Sequence, residues 1–476
     1  MNDTGSKPGY RPSLAYLSLG DDYYDPVAPA DFPMAIERFR NRRWDGRVGL
    51  DGLDDERFAA HFARFQPLPD NHPTPLALRY HGHQFRAYNP EIGDGRGFLF
   101  GQVIDGDGRL LDFGTKGSGQ TPYSRFGDGR LTLKGGVREV LATELLEALG
   151  VYTSKSFALF ETGEALHRGD EPSPTRSSVL VRLSHSHVRF GSFQRWLADN
   201  NAANVGRLVD YAVEWLMPDC ARESPEAQVL AFYQRVGDNV ARMSAEWTAA
   251  GFVHGVLNTD NTVLTGESFD YGPYRFLPHF DPRFTAAYFD QTGLFAFGRQ
   301  PLSIKWNLAR LGECLMLLVP IDGLETVLGG FDEAYNRFLR VAMLRRLGLQ
   351  AGDGDADRAM IDALFRFLDA TRMPFEAAMF DLFGGPARLT KALAGPRAAF
   401  YAAAEFTPLR SLLEAATPAP DAGLAHDYFD GDHPTTLLWD EIEALWAPIA
   451  ERDDWSAFTT KLASIARVRE AYGLAR

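Results

Sequence analysis

Two side chains in the middle of the chain, Asn261 and Asp270, have the oxygen chemistry of ligands for a hard divalent cation. Asn261 ends the stretch HGVLNTDN, which begins at His254, and Asp270 begins a DYG triplet nine residues further on. Carboxamide and carboxylate oxygens suit Mg²⁺ or Mn²⁺ that bridges phosphate groups. Asp260, beside Asn261, is the nearest carboxylate able to accept a proton. We therefore expect a metal site with an adjacent base, acting on phosphate groups.

The spacing of this stretch is that of a kinase-type catalytic loop with its base displaced. Such loops place an aspartate two residues after the histidine, where this chain has Val256. A single Asn or Asp is usually a helix cap or turn residue, but an Asn and a DYG triplet in this order after His-Gly match a kinase-like metal pair. A base moved to Asp260 predicts altered chemistry or no chemistry.

Glycine-rich turns upstream could bring backbone amides close to an anion. In EIGDGRGFLF, Gly93 and Gly95 would allow that approach and Arg96 could add a bidentate phosphate contact, although an ordinary loop before a strand has the same composition. The GDGR sequence recurs at residues 106 and 127 without a repeat in its flanks. The second copy predicts a hairpin turn, and the third, with Asp128 and Gly129, predicts a loop.

A strand lysine and a helix glutamate form the next candidate pair. Lys116 ends the strand-like run LLDFGTK, and Glu139 follows 23 residues later, near the start of an amphipathic helix with Val137, Leu141 and Leu145 on one face. Kinase-like folds use such a pair to point an ammonium at nucleotide phosphates. A solvated surface lysine is the alternative. The order of parts favours the pair: glycine turn, hairpin, strand lysine, helix glutamate, strands and then helices.

Two arginines lie on and after a later strand. Strict alternation in SSVLVRLSHSHVRFG places Arg182, Ser184 and Ser186 on one face and the two neighbouring histidines on the other, and Arg189 follows. Two guanidinium groups could neutralise a triphosphate, whereas surface salt bridging is the alternative. A metal site at the histidines would need further ligands that the sequence does not identify.

These elements predict an α+β fold of the protein-kinase-like bilobal type, with a β-rich N-lobe and a large helical C-lobe. Residues 1–75, rich in Asp, Pro and aromatic residues, predict an irregular extension that wraps the core, with one helix at DDERFAAHFARF. Residues 76–196 form the predicted N-lobe. Residues 197–476 are predicted to be helical almost throughout and form the C-lobe that carries the metal and catalytic loop.

The charge and cysteine content narrow the class of protein. A chain of 476 residues with 45% apolar content can bury a large core, and a formal charge of −14 argues against a nucleic-acid-coating role. Only Cys220 and Cys314 are present, so we expect a reducing cytoplasm and neither a disulfide framework nor a structural zinc site. No apolar run approaches the ~18 residues of a membrane span and no export signal begins the sequence, so we expect no membrane partner.

Long stretches of the sequence together resemble the selenoprotein O family, also called YdiU. The similarity spans roughly residues 75–315 and is carried by YHGHQFRAYNPEIGDGR, DFGTKGSGQTPYSRFGDGR, VREVLATELLEALGVYTS, RLSHSHVRFGSF, GFVHGVLNTDNTVLTGESFDYGPYRFL, FDPRFTAAYFD and FGRQPLSIKWNLARL. Members of that family have a kinase-like fold, bind ATP in a flipped orientation and transfer AMP to protein hydroxyls; some bacterial members are described as using UTP with Mn²⁺. The resemblance implies a protein adenylyltransferase with ATP as co-substrate, Mg²⁺ or Mn²⁺ as cofactor and target proteins as partners.

The resemblance also assigns roles to residues of this chain. It places the proton acceptor on Asp260, the metal ligands on Asn261 and Asp270, and the nucleotide contacts on Gly93, Gly95, Arg96, Lys116, Asp128, Gly129, Arg182, Arg189 and Asp270, with Glu139 in support. Two departures, GGVRE for Ser-Ser-Ile-Arg-Glu and SHSHVRF for Ala-Pro-Ser-His-Ile-Arg-Phe, remove none of these ligands. The chain ends YGLAR where many members carry a C-terminal Cys or selenocysteine motif, so redox control through that position is not expected.

Three functions remain open at this point. AMP transfer from ATP to a Ser, Thr or Tyr hydroxyl is the leading hypothesis, with UMP transfer from UTP as a variant. A kinase that directs attack at the γ-phosphorus is the first rival, and Val256 argues against it. The second rival is a non-catalytic scaffold, which would bind nucleotide without forming a covalent product.

Overall fold

The computed structural model describes residues 9–169 and 171–474 and contains a sheet-rich part followed by a helical part. Eleven of its thirteen described strands lie in the first half of the chain, with few helices between them. The strands are β1 (Pro12–Ser13), β2 (Tyr24–Pro26), β3 (Ile36–Arg40), β4 (Leu76–Leu78), β5 (Gly82–Gln84), β6 (Ala87–Asn89), β7 (Leu99–Ile104), β8 (Leu110–Lys116), β9 (Leu131–Thr132), β10 (Lys155–Leu166), β11 (Thr175–Ser184), β12 (Phe252–Val253) and β13 (Arg275–Phe276).

The helices dominate the second half of the chain. They are α1 (Arg42–Asp45), α2 (Asp55–Phe62), α3 (Leu133–Ala148), α4 (Phe190–Ala198), α5 (Ala202–Trp215), α6 (Pro225–Ala249), α7 (Gln300–Leu315), α8 (Ile321–Gly329), α9 (Phe331–Arg346), α10 (Gly354–Thr371), α11 (Phe375–Leu382), α12 (Pro386–Ala394), α13 (Phe406–Ala415), α14 (Trp439–Arg452) and α15 (Ser456–Tyr472). Short 3₁₀ turns, including Thr259–Asn261 in the HGVLNTDN stretch, lie between them.

In the part of the chain that the structure describes, nine strands form one antiparallel sheet. Its central order is β2-β4-β7-β8-β11-β10-β3, with β1 paired to β7 and β9 paired to β11. The predicted hairpin is confirmed, because β7 and β8 pair across the second GDGR turn with Ile104 opposite Leu110. The register between β8 and β11 places Lys116 opposite Leu180 and Gly114 opposite Arg182, which brings the lysine and the arginine to the same end of the sheet.

The two faces of the sheet bury different side chains. On one face, α2 contributes Phe58 and Phe62, which contact the rings of Phe113 and Phe157. On the other face, α3 packs against β10 and β11, and α15 packs on α3. Because Leu180 belongs to the core cluster of α3, the period of two along β11 also directs Arg182 to the α3 face, as the alternation predicts.

The residues before position 75 contribute more regular structure than the sequence predicts. The helix predicted at DDERFAAHFARF is confirmed as α2, but β1, β2 and β3 also lie in this segment and pair with the main sheet. Strands of two to five residues give no periodic signal, so only their partners in the sheet reveal them. The division into units at residues 75 and 196 stays a prediction.

No helix among residues 9–169 and 171–474 is long and apolar enough to cross a bilayer.

Candidate active site

Four charged side chains meet where the sheet, α3 and the DYG loop converge. The Nζ atom of Lys116 donates to Glu139 Oε1 and to Asp270 Oδ1, both at 2.5 Å. The Nη2 atom of Arg182 donates to the same two oxygens, at 3.1 Å and 2.7 Å. Two cations therefore face two carboxylates in an alternating arrangement, and the predicted pairing of Lys116 with Glu139 is present.

Local structure fixes each member of this cluster. Lys116 is the last residue of β8, and Glu139 lies in the second turn of α3. That helix begins at a defined point because the Thr132 side chain caps it by accepting a hydrogen bond from the Gly135 amide. Three of the four side chains are buried, with 6% or less exposed at Lys116, Glu139 and Arg182. The Asp270 side chain is 25% exposed. Asp270 is thus the member of the cluster that a ligand can reach.

The environment keeps both carboxylates ionised. Burial raises the pKa of Asp270, but the charges of Lys116 and Arg182 outweigh it and hold that pKa well below its usual range. The same balance lowers the pKa of Glu139, where Arg182 and Lys116 again oppose burial. Burial lowers the pKa of Lys116, and its two carboxylate partners oppose that shift. The cluster is therefore held together by charge, with Asp270 in its anionic form.

Asp270 has a backbone conformation that side chains rarely adopt. Its φ is +63°, in the left-handed region, and the Gly272 amide bonds to its carbonyl at 3.0 Å. His254 supports the preceding residue, because its Nε2 lies 2.9 Å from the Phe269 carbonyl oxygen and its ring is buried against Trp247. Burial lowers the pKa of His254, which keeps the ring neutral. His254 therefore positions the DYG loop from the core.

Asp260 is a half-buried acid with one buried oxygen that lacks a hydrogen bond. Its Oδ1 atom has no hydrogen-bond partner among the described residues, while its backbone carbonyl accepts from Arg189 Nη1 at 2.8 Å. Burial raises the pKa of Asp260 to about 6, although the Arg189 charge opposes the shift. A carboxylate with a pKa near neutrality and an unused oxygen is suited to accept a proton. Val256 contributes only its carbonyl, which accepts from Asn261 Nδ2 at 3.1 Å.

Arg189 links the HGVLNTDN stretch to the first glycine-rich turn. Its Nη2 donates to Asp94 Oδ1 at 3.0 Å, and its guanidinium carbon lies 4.5 Å from the centre of the Tyr80 ring. Asp94 also accepts from the Leu78 amide at 3.1 Å. The Nε atoms of Arg189 and Arg182 are buried without a hydrogen-bond partner in the described part of the chain. Both guanidinium groups thus retain donor capacity.

The glycine-rich turns pack tightly against a second loop. A Cβ atom on Gly93 would lie 2.4 Å from Tyr123 Cγ, and one on Gly97 would lie 2.0 Å from the Thr115 carbonyl oxygen. The Ser124 hydroxyl donates to the Gly95 carbonyl at 2.5 Å. Glycine is therefore required here for close packing between loops, a role that the sequence prediction of anion approach did not include.

One cavity of about 710 Å³ collects most of the predicted site. Ten of the predicted residues line it: Gly93, Gly95, Arg96, Lys116, Asp128, Gly129, Arg182, Arg189, Asp260 and Asp270. Glu139 lies behind Lys116 and lines an adjacent cleft, and Asn261 is absent from the linings of both spaces. The cavity volume is within the range of small-molecule sites, ~300–1,000 Å³.

The oxygen atoms of Asp270 and Asn261 have the chemistry of ligands for a divalent cation. Both of its cationic partners bind Oδ1, and no hydrogen bond from the described residues reaches Oδ2. The Asn261 amide donates through Nδ2, which leaves its carbonyl oxygen as a ligand atom. Such a hard oxygen set suits Mg²⁺ or Mn²⁺.

The two histidines after β11 do not form a pair. His185 Nδ1 lies 2.7 Å from the Tyr152 hydroxyl, whereas His187 Nδ1 lies 3.3 Å from Asp112 Oδ2. The predicted strand face is wrong at its end, because β11 stops at Ser184 and the following Ser186 has a φ of +85°. Among residues 9–169 and 171–474, no group of three or more His, Cys, Asp or Glu side chains could hold a metal ion.

Several lining residues were missed by the sequence analysis. Asp94 lies inside the first GDGR motif, and its place in that glycine-rich turn was the available signal. Arg168 gave no signal, since it pairs with Asp128 at 2.8 Å and 3.0 Å across 40 residues of sequence. Gln84 belongs to the short β5–β6 hairpin, which reaches the catalytic stretch through a 2.7 Å bond from the His83 amide to Thr259 Oγ1. Long-range contacts of this kind leave no local pattern.

Comparisons with known proteins identify the family of the chain. The chain matches the family described as "Protein adenylyltransferase SelO" over residues 9–466, well beyond the 75–315 expected from sequence motifs. A relative from Gloeobacter violaceus, named "Protein nucleotidyltransferase YdiU", is 46% identical over 477 residues, covering 97% of this chain and 95% of the relative. A second of that name, from Synechocystis sp., is 42% identical over 463 residues, covering 94% and 96%. One from Vibrio cholerae is 38% identical over 351 residues, covering 72% and 69%. The chain belongs to the SelO family of protein adenylyltransferases.

Proposed function

We propose that this member of the nucleotidyltransferase family transfers AMP from ATP to Ser, Thr or Tyr hydroxyls of target proteins, with Asp260 as the base. Family membership supplies the enzyme class. The observation that carries the residue assignment is Asp260 itself: an acid with a pKa raised to about 6 and an unpartnered oxygen, in the same cavity as Lys116, Arg182 and Asp270.

In this proposal Asp260 accepts the proton of the acceptor hydroxyl as its oxygen attacks the α-phosphorus of ATP. A bond forms between that oxygen and the α-phosphorus, and the bond from the α-phosphorus to the bridging oxygen breaks. The electron pair leaves with pyrophosphate. Arg96, Lys116, Arg182 and Arg189 line the cavity and stabilise the negative charge on the phosphates.

Asn261 and Asp270 would hold Mg²⁺ or Mn²⁺, which would neutralise phosphate charge when bound. The two glycine-rich turns and Asp128 would contact the rest of the nucleotide at the outer part of the cavity, since Asp128 is exposed and held by Arg168. This assignment of ATP contacts and of the metal rests on the cavity lining and on oxygen chemistry.

We also propose that the sheet and helices form a kinase-like pair of lobes, with residues 76–196 and 197–476 as the two parts. The support is the pairing of a strand lysine with a helix glutamate and a loop aspartate around one cavity. A buried, neutral His254 and an apolar Val256 leave the usual kinase base position without a carboxylate. The family match disfavours both the kinase and the scaffold alternatives.

Transfer of label distinguishes these functions. Purified protein is incubated with acceptor proteins and either α-³²P-ATP or γ-³²P-ATP, with Mg²⁺ or Mn²⁺ in separate reactions. We expect protein-bound label only from α-³²P-ATP, and its loss in Asp260→Asn. Label from γ-³²P-ATP would instead establish a kinase. A parallel reaction with α-³²P-UTP tests UMP transfer. A cytoplasmic location stays a prediction from the two buried, unbridged cysteines.

A further inference from the structure

A second cleft, of about 460 Å³, adjoins the nucleotide cavity on the α3 side of Lys116. It lies between the start of α3, the segment 271–275 after Asp270, the residues Tyr288 and Phe289, and Trp439 of α14. Lys116 and Arg96 line both spaces, so the cleft is continuous with the nucleotide cavity. The functional assignment above gives this space no role.

Three cations surround one indole ring in this cleft. The guanidinium carbon of Arg275 lies 3.6 Å from the centre of the Trp439 ring, that of Arg138 lies at 5.0 Å, and Lys134 Nζ lies at 5.6 Å. Lys134 pairs with Glu443 Oε2 at 2.8 Å. The concentration of positive charge is unusual in a chain whose formal charge is −14.

Backbone carbonyls, and not carboxylates, accept the hydrogen bonds of the two arginines. Within residues 9–169 and 171–474, no carboxylate forms a salt bridge with Arg138 or Arg275; they donate to backbone carbonyls of the 273–274 segment, at 2.9 to 3.3 Å. Arg138 Nε is buried without a hydrogen-bond partner. Burial, followed by repulsion from the charge of Arg138, lowers the pKa of Arg275 to about 10, while the charge of Glu443 opposes the shift. An anion placed between them would relieve that repulsion.

An exposed aromatic rim connects this cleft with the catalytic stretch. Tyr288 is 83% exposed and Phe289 is 46% exposed. The Phe289 ring lies 5.9 Å from that of Phe85, whose backbone amide donates to Asn258 Oδ1 at 3.0 Å, two residues before Asp260. A chain seated on this surface would pass from the arginines, over the aromatic rings, to the proposed base.

We propose that this cleft binds an acidic segment of the acceptor protein, so that carboxylates contact Arg138 and Arg275 while the hydroxyl to be modified lies toward Asp260. The inference rests on the proposed function, because it identifies the acceptor of the same reaction. A peptide segment fits better than a second nucleotide, since exposed aromatic rings extend the basic cleft toward the base. The nucleotide already has its own cavity with Arg96, Arg182 and Arg189.

Binding of synthetic peptides tests the inference without needing the natural acceptor. Two fluorescein-labelled peptides, each with one Tyr, carry either four Glu or four Lys flanking residues. Their binding is measured by anisotropy with α,β-methylene-ATP present to occupy the nucleotide cavity. We expect the Glu peptide to bind more tightly than the Lys peptide, and the doubly substituted Arg138→Gln/Arg275→Gln to weaken it at least tenfold. Arg358→Gln, at a 62% exposed arginine of α10, is the matched control and should leave it unchanged.

The affinity of each variant for mant-ATP is measured alongside and should change less than twofold in the double variant, which shows that the fold and the nucleotide cavity are intact. If the double variant does not fold, Arg275→Gln alone should weaken Glu-peptide binding at least threefold. Equal binding of the two peptides by the wild type, or unchanged Glu-peptide affinity in a folded variant, would overturn the docking inference. AMP transfer by such a protein would leave the proposed function standing. Preferential Glu-peptide binding without any AMP transfer would support the docking inference and overturn the proposed function.

Discussion

Replacement of Glu267 by Gln should remove the pH dependence that this buried carboxyl gives to the stability of the protein. Glu267 lies three residues before Asp270, is buried with 4% of its surface exposed, and accepts a 2.7 Å hydrogen bond from the His185 amide. Burial raises its pKa from the usual 4.5 to about 7, even though Lys155 opposes the shift. In the unfolded chain the carboxyl ionises around pH 4.5, whereas in the folded protein it stays protonated up to about pH 7.

The stabilising effect of the neutral carboxyl is therefore complete below pH 4.5, declines between pH 4.5 and 7, and is lost above pH 7. The difference in pKa corresponds to about 3 kcal/mol at pH 8. Gln avoids this loss because it is never ionised, but its weaker hydrogen bond costs about 1 kcal/mol. We expect Glu267→Gln to be more stable than wild type by about 2 kcal/mol at pH 8 and less stable by a few tenths of a kcal/mol at pH 5.

Urea unfolding followed by tryptophan fluorescence at pH 5 to 8.5, at constant ionic strength, measures the difference between the two midpoints at each pH. Glu451→Gln, at a side chain that is 66% exposed, is the matched control and should show a difference near zero throughout. A Glu267→Gln variant that is less stable than wild type at pH 8, or a difference that does not vary with pH, would refute the reasoning.

Three further predictions concern the site. Asp260→Asn should lower AMP transfer by about 10²- to 10⁴-fold, the usual contribution of a general base, with an unchanged melting temperature; transfer within threefold of wild type would remove Asp260 from the mechanism. Lys116→Met should weaken mant-ATP binding more than tenfold and lower stability by about 3 kcal/mol, because buried Glu139 loses one of its two cationic partners. Adding Glu139→Gln should recover stability but not affinity, and recovery of both would contradict the proposed phosphate contact. Gly97→Ala should destabilise the protein by about 2 kcal/mol or more, since its Cβ would lie 2.0 Å from the Thr115 carbonyl oxygen. Gly52→Ala is the control and should not destabilise it, because Gly52 has open space around it. Equal melting temperatures of the two variants would contradict this packing.

Local sequence pattern was sufficient for the elements that carry the site. The alternation of apolar residues around the second GDGR turn predicted β7 and β8, and the four-residue spacing from Val137 predicted α3. The strand pair and the helix are each long enough to show a period, and the periods of 2 and 3.6 residues differ clearly. The strands before residue 75 were not predicted, because two to five residues are too few to show a period, and their stability comes from pairing with β4, β7 and β10.

The sequence by itself determined which residue types the chain offers: a strand lysine, a helix glutamate, two arginines, an aspartate beside an asparagine, and a DYG triplet. Tertiary structure decided which of them meet. Arg189 reaches Asp94 across 95 positions and Lys116 reaches Asp270 across 154, so no local spacing could assign these partners. The folded structure also set the chemistry of Asp260, since its pKa near 6 comes from burial, and it left Arg138 and Arg275 beside Trp439 without a salt bridge among the described residues. Burial and charge pairing depend on what the rest of the chain brings close, and only the fold specifies that.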